Sequence, residues 1–509
     1  LKTRGPSAIL AEALQAIGPD ASDRRPVNRS IFYGKGPKNG GLAFLFPGQG
    51  SQYPDMGRDL VCRFPEAFAV LENANRHAEG ERRLTDWIYP ESPAAQANRP
   101  ANGLTDTRIA QPAIGAVSLA MLRVLQRFEL RPQALGGHSF GELTALAAAG
   151  RLPEPEFLKL AAARGRLMGD AGRRQPGGMT AVQAPLERIE DLIAEHGLDL
   201  VLANRNAPNQ GVVSGSPAAL KSFETLCRNQ GIRSVRLPVS AAFHSPLVAE
   251  ALKPFQEFAA RVAFQSATIP VYANATAGIY PAGEDESAAL MARQLRQPVC
   301  FVEMIRAMHR DGMRMFVEIG PRKILSGLVS AILAEEPSVQ TVAMDASGGR
   351  HSGLYDLAGV LCTLAAAGYG PNLRRWGNAT RKKRSTRMQV RLTGANHVSQ
   401  KTTVAPPPAP AKPRPSSNRT QNQQEPRPAL PAAAASRHDD AIGNQNMNKD
   451  TRFTSGDEFI RQAMAAVQQG LQTMQSLQEQ TARAHEKFLE TQKEASRTLQ
   501  MMMDSTRRL

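Results

Sequence analysis

A short apolar run, Ala134-Leu135, ends in Gly136-Gly137 and is followed, past His138-Ser139-Phe140-Gly141, by an Ala- and Leu-rich stretch over 142–149. The first reads as a strand and the second as a helix, so a sharp turn must join them. A serine at the tip of such a turn, flanked by Gly137 and Gly141 in G-x-S-x-G spacing, has its hydroxyl pushed into the open, because small neighbours let the backbone adopt a strained conformation. The Phe140 amide and the start of the helix then face any oxyanion formed there. The pentapeptide also occurs by chance in loops, so the standing of Ser139 as a nucleophile depends on what the rest of the chain supplies.

Upstream, the buried-strand run 42–46 closes in Pro47-Gly48-Gln49-Gly50-Ser51-Gln52. Two glycines bracketing Gln49 would let its backbone amide approach a ligand as an oxyanion donor, or they simply turn the chain after a strand. Apolar spacing predicts helices over 64–78 and 111–128. Another helix opens at Pro153-Glu154-Pro155; its stripe of Phe157, Leu160, Ala161, Leu167 and Met168 includes Arg164. A guanidinium on an inward helix face is costly unless it meets an anion, although a structural salt bridge or a snorkelling side chain would also place one there.

Between 178 and 240 the pattern becomes a compact unit of its own: strand 179–182, helix 186–196, strands 198–203 and 211–214, helix 217–230 and strand 232–239. This βαββαβ order is ferredoxin-like. The last strand leads to Ala241-Ala242-Phe243-His244, placing a histidine where two domains meet and clefts form, a fitting position for a general base. Helix 252–264, strand 269–273, helix 289–295 carrying Gln294, helix 302–310, strand 313–319 and helix 324–333 follow. The expected fold is α/β: a large α/β-hydrolase-like domain with a mainly parallel sheet and the ferredoxin-like unit inserted in it.

In domain terms, 1–40 reads as an upstream linker with a short helical pattern and 41–376 as the globular domain, with 41–177 and 241–376 forming the large subdomain and 178–240 the small one. Residues 377–450 are a basic, Pro/Ala/Gln-rich stretch expected to be a disordered linker. A capping box at 455–458 then opens a long amphipathic helix over 455–509. Its seam of Ile460, Met464, Val467, Leu471 and Met474 is coiled-coil-like and would either pair two chains as a homodimer or dock on a neighbour. The chain begins at Leu1 instead of Met and is expected to be part of a longer polypeptide.

Charge narrows the function. The net charge of +16 over 509 residues would suit nucleic acid, but 374–391 alone holds eight Lys or Arg and no acidic residue, without aromatic interleaving. Such a run reads as a solvated tether, so no nucleic-acid partner is expected. Four cysteines without a C-x-x-C pair suggest neither a disulfide framework nor a metal site. No hydrophobic run approaches the length of a membrane span and no signal-peptide core is present, so a cytoplasmic location is expected.

Taken together, Phe46-Pro47-Gly48-Gln49-Gly50-Ser51-Gln52, Gly137-His138-Ser139-Phe140-Gly141-Glu142, the Arg164 helix, Phe243-His244 and Glu318-Ile319-Gly320-Pro321 resemble, in order and spacing, malonyl-CoA:acyl-carrier-protein acyltransferases of type I polyketide and fatty-acid synthases. The C-terminal stretch is similar to the Gln-rich helix that follows the acyltransferase in polyunsaturated fatty-acid synthases. The resemblance implies Ser139 as nucleophile and His244 as base, with the amides of Gln49 and Phe140 as the oxyanion hole. It further implies Arg164 as partner of the malonyl carboxylate, Gln294 as a residue whose backbone holds the histidine, and Phe243 as a barrier to an α-methyl group. Ala241 stands where malonyl-type domains often have His, so that signature is partial. Asn204 and Asn206 are expected in a loop facing the cleft.

Malonyl-CoA and a phosphopantetheinylated acyl carrier protein are the implied substrates, with no bound cofactor. A ketosynthase upstream and carrier domains downstream are the implied neighbours. Two other readings remain: a hydrolase that clears stalled acyl groups from a carrier, for which Arg164 has no use, and a non-catalytic docking scaffold, which would not need the full set of residues.

Overall fold

The computed structural model describes residues 6–16, 26–28, 31–34, 40–78, 82–90, 103–239 and 241–377. The expected linker and long helix, beyond Gly377, lie outside the described residues. Within the expected upstream linker, a helix spans Pro6–Ala16, and Pro26–Asn28 pairs antiparallel with Ile31–Phe32.

The main sheet has four parallel strands in the order Gln340–Ala343, Met313–Glu318, Gly41–Phe46, Ala134–Gly137. Central strand Gly41–Phe46 is buried over nearly its whole length, as an apolar run covered on both faces must be. Its register sets Leu45 beside Gly136 and Phe46 beside Gly137, while Leu45 also pairs with Glu318 on the other side. Three chain segments therefore leave the sheet at one edge: the Pro47–Gln52 loop, the Ser139 turn and Ile319-Gly320-Pro321. The C-terminal ends of parallel strands are where open α/β sheets bind their ligands.

Helices Pro65–Arg76, Thr107–Arg127, Phe140–Ala148 and Glu154–Arg174 pack around this sheet into one apolar core with Phe44, Phe46, Phe140 and Phe157 at its centre. Contrary to the expectation from sequence, one helix among the described residues is long and apolar enough to span a membrane: the 21-residue Thr107–Arg127 contains an 18-residue stretch with a mean hydropathy of 1.3, but 83% of that stretch is buried within the fold. Its apolarity serves the core.

The two glycines of G-x-S-x-G are required by packing. A Cβ on Gly141 would sit 1.9 Å from the Phe46 carbonyl oxygen, and one on Gly137 would sit 2.0 Å from the Gly141 carbonyl carbon. Helix and strands approach so closely here that only hydrogen fits.

The second sheet is antiparallel, in the order Leu200–Ala207, Gln210–Gly215, Gly178–Gln183, Arg233–Arg236, with helices Leu186–Glu195 and Pro217–Asn229 in two of its three connections. A parallel bridge between Asn204 and Val299 joins it to the rest of the fold. Its last strand stops at Arg236, short of the expected 239, where Pro238 has no amide to continue a ladder. Helix 252–264 is found at Ala249–Ala259, and expected strand 269–273 is reduced to bridges from Val271 to Leu135 and from Tyr272 to Ile279. Strand Gln340–Ala343 and helix Gly353–Ala366 were not anticipated.

Candidate active site

Ser139 caps the Phe140–Ala148 helix at φ 50°, ψ −111°, outside the ordinary regions for an L-residue. Its Oγ donates to Nε2 of His244 at 2.7 Å. His244 is itself at φ 58° and 2% exposed, in a turn beyond the small sheet. Its Nδ1 lies 3.0 Å from both the Gln294 and Gln297 carbonyl oxygens. Two carbonyls can only accept, so the proton belongs on Nδ1 and the lone pair on Nε2, facing the serine. Neutral carbonyls, with no carboxylate, orient this ring. Burial, followed by repulsion from Arg164, pushes the imidazole down to about 3, so it is neutral and able to accept a proton at ordinary pH.

Opposite the histidine, the Pro47–Gln52 loop comes up against the serine turn. A Cβ on Gly48 would lie 2.5 Å from the His138 carbonyl oxygen and 3.6 Å from the Phe140 nitrogen, which puts this loop beside the Phe140 amide. Among the described residues no acceptor is found for the amides of Gln49 and Phe140, while the Ser139 amide is taken by Asn274 Oδ1 at 2.7 Å. The Gln49 side chain accepts from Thr107 Oγ1 at 2.5 Å, anchoring the loop to the Thr107–Arg127 helix. Gly320, at φ 153°, leaves no room for a Cβ against Pro47. The Glu318-Ile319-Gly320-Pro321 motif thus supports the same loop from behind.

Arg164 is 3% exposed, and the sequence's two bland explanations for it do not hold: it neither snorkels to solvent nor, among the described residues, forms an ion pair. Its Nη1 donates to Gln111 Oε1 at 2.8 Å and its Nη2 to Gln294 Oε1 at 3.1 Å, while the Phe140 ring lies 5.9 Å from the guanidinium. Burial lowers it to about 10, with Glu142 and Tyr280 opposing, so it stays charged. Gln294, the C-cap of Glu284–Arg293, joins three of the site residues: its Nε2 donates to the Ser139 carbonyl at 2.6 Å, its Oε1 accepts from Arg164 and its main-chain oxygen accepts from His244. A buried cation held by neutral oxygens beside a serine–imidazole pair can receive an acyl group that carries its own negative charge.

Phe243 is buried in the core next to His244. Asn204 and Asn206 lie on strand Leu200–Ala207 and not in a loop; the ladder continues past 203 because Gln210–Gly215 pairs back on it. Asn206 Oδ1 accepts from His138 Nε2 at 2.7 Å, and the His138 ring packs edge-on to Phe301. Sequence reasoning did not single out Gln111, Gln297 or Asn274. Asn274 had one signal: it immediately follows the apolar run 269–273, at the edge where the other site residues leave the sheet.

Residues 43–347 match the profile of the family described as acyl transferase domain. Among curated proteins, the chain is 30% identical over 414 residues to a polyunsaturated fatty acid synthase protein of Thraustochytrium sp., covering 78% of this chain and 14% of that protein. It is 34% identical over 296 residues to malonyl CoA-acyl carrier protein transacylase of Bacillus subtilis, covering 57% of this chain and 90% of that protein. The chain thus spans only a small part of the synthase and nearly all of the transacylase. Among solved structures, the acyltransferase domain from the second module of the salinomycin polyketide synthase superposes with a TM-score of 0.63 at 28% identity, over 76% of this chain and 86% of that one.

Proposed function

Because this chain belongs to the acyl transferase domain family, we propose that it carries malonyl groups from malonyl-CoA to the phosphopantetheine thiol of an acyl carrier protein, through an ester on Ser139. The observation that carries the substrate assignment is Arg164: a buried guanidinium with amide oxygens but no carboxylate among its described partners. Its complement is a substrate carboxylate, able to take the two terminal nitrogens in a bidentate pair.

The reaction runs in two halves. As Ser139 Oγ attacks the thioester carbonyl, its proton passes to His244 Nε2, 2.7 Å away. The carbonyl oxygen becomes an oxyanion received by the amides of Gln49 and Phe140. Collapse of the tetrahedral adduct breaks the C–S bond, the coenzyme A thiolate takes the proton from His244, and malonyl-Ser139 remains. The carrier's thiol then enters, gives its proton to His244 and attacks the ester; the Ser139 oxygen leaves and recovers the proton. Thioester and serine ester differ little in free energy, so the site's task is to keep water off the ester.

Malonyl over acetyl follows from Arg164, since an acetyl group would leave the buried charge without its partner. Phe243 beside His244 supports malonyl over methylmalonyl, an α-methyl group meeting a buried ring. The antiparallel sheet, ferredoxin-like in its strand order, supplies Asn204 and Asn206 to the cleft wall beside His138. In its longer context the chain serves as the loading component of a synthase, with ketosynthase and carrier domains as neighbours.

The test is intact-protein mass after brief exposure to malonyl-CoA, followed by addition of a phosphopantetheinylated carrier. A malonyl adduct on the parent that Ser139→Ala lacks, and that disappears as the carrier gains the same mass, is the expected outcome. Adduct loss to water with nothing on the carrier would make the protein a hydrolase instead.

A further inference from the structure

Packed against the nucleophile turn lies a fully buried polar group that the acyl-transfer steps do not use. Asn274 is 0% exposed, Glu142 1% and Tyr280 4%. The Asn274 side chain spans the serine turn: Oδ1 accepts the Ser139 amide at 2.7 Å, while Nδ2 donates to the Gly137 carbonyl, also at 2.7 Å. Its main-chain amide donates to Glu142 Oε2 at 2.6 Å, and Tyr280 donates its hydroxyl to the other oxygen of the same carboxylate. Glu142 sits in the first turn of the helix that Ser139 caps. The Asn274 carbonyl accepts from the Cys300 amide at 3.1 Å. Asn274 thus holds the two peptide units that lead into Ser139, and Glu142 with Tyr280 holds Asn274.

We propose that Asn274 is a positioning residue for acyl transfer: its carboxamide fixes the backbone leading into Ser139, at that residue's positive φ, and takes the serine's own amide out of the oxyanion pocket, leaving Gln49 and Phe140 as the donors. A serine at φ 50°, ψ −111° relaxes unless its surroundings hold it: Asn274 holds the 137–138 and 138–139 peptide units on its N-terminal side, and Gln294 Nε2 holds the Ser139 carbonyl on the other. The same grip settles which amides face the substrate. A Ser139 N–H swung toward the acyl oxygen would compete with Phe140, and its bond to Asn274 prevents that. Asn274 touches neither acyl group nor imidazole, so its effect passes entirely through Ser139. Only a side chain with an acceptor and a donor on one planar group can bridge these two positions, which distinguishes asparagine here from aspartate or leucine of similar size.

The inference rests on Ser139 being the nucleophile. The experiment follows malonyl-adduct formation by rapid quench and mass, on the full chain, for parent, Ser139→Ala, Asn274→Ala, Asn274→Asp and Tyr280→Phe, with malonyl-CoA dependence and thermal midpoints measured on each. A displaced nucleophile predicts an acylation rate at saturation lowered about 100-fold in Asn274→Ala with the KM for malonyl-CoA within about twofold of the parent. Asn274→Asp keeps the acceptor but sets a carboxylate oxygen against Gly137 O; it should fall comparably, and it is the variant to read if the alanine variant does not fold. Tyr280→Phe, which removes a single hydroxyl three hydrogen bonds away from Ser139, should fall about tenfold, again with KM unchanged. A lowered midpoint with the saturating rate of the folded protein unaltered would reduce Asn274 to a structural residue and overturn the proposal. So would a rise in KM alone. An adduct persisting in Ser139→Ala would instead remove the nucleophile reading, an outcome distinguishable from failure of the clamp.

Discussion

The guanidinium of Arg164 rests on the carboxamide oxygen of Gln294, 3.1 Å away, where a carboxylate would ordinarily be found. A neutral acceptor satisfies a hydrogen bond without cancelling the charge, so the pair holds the arginine in place and leaves it able to bind an anion. Arg164→Ala should therefore lower malonyl-CoA acylation by about 10²- to 10³-fold, while acetyl-CoA acylation holds or rises. Competition between the two thioesters, read by adduct mass, checks it. Equal losses for both would mean that the arginine only supports the fold.

Acid stability should respond to His244 and Glu142 in opposite senses. His244 has its folded value depressed to about 3, so the unfolded chain binds its proton first as pH falls below the usual histidine value, and the fold loses stability over that interval. Glu142 is pushed up by burial to about 7, so the fold binds its proton first and gains stability as pH falls toward the usual carboxylate value. Between pH 7 and pH 5 each contributes on the order of 2 kcal/mol, with opposite sign, so the two offset one another. Relative to the parent, His244→Gln should become more stable on acidification and Glu142→Gln less stable. Urea melts at the two pH values check both; parallel curves for all three proteins would refute the buried-neutral histidine.

Gly48→Ala would place a Cβ 2.5 Å from the His138 carbonyl oxygen, so the Gln49 loop must move away from the Phe140 amide. With one oxyanion donor displaced, kcat should drop about 10²- to 10³-fold. KM for malonyl-CoA should hold, since Arg164 lies on a different element. Steady-state kinetics on a variant with an unchanged thermal midpoint decides the matter.

Glu318 is 1% exposed and accepts the amides of Ile324, Leu325 and Ser326 as well as the Ser326 hydroxyl, which closes the start of helix Leu325–Ile332. Glu318→Ala leaves those donors buried and empty, a loss of about 3 kcal/mol. A calorimetric midpoint roughly 4 °C lower is expected, with Glu318→Gln between the two.

The motifs marked the segments that leave the sheet, because glycines at 48, 137 and 141 are forced by close backbone approach, and Gly320 by its positive φ against the Pro47 ring. Arg164 was legible too, as a charge out of place in an apolar stripe. Asn274 and Gln111 were not: their roles arise from contacts 135 and 53 residues away along the chain, and asparagine or glutamine in isolation reads as ordinary surface. Strand Gln340–Ala343 lacked a strong signal because it is an edge strand, only part-buried over most of its length. Expected strand 269–273 was over-read for a different reason: Val271 and Ala273 are apolar because they belong to the core, while its backbone forms only isolated bridges, at Val271 and Tyr272.

Ser139 and His244 face each other from left-handed backbone, φ 50° and φ 58°, a region where an L-residue sits about 1–2 kcal/mol above its relaxed state. Glycine would occupy either position more comfortably and would carry neither a hydroxyl nor an imidazole. A lineage drifting toward robustness alone would therefore be drawn to lose both groups. Their joint presence at such positions marks selection acting against the fold's own preference, and it names the two sites where an inactive descendant of this protein would first become sturdier than its ancestor.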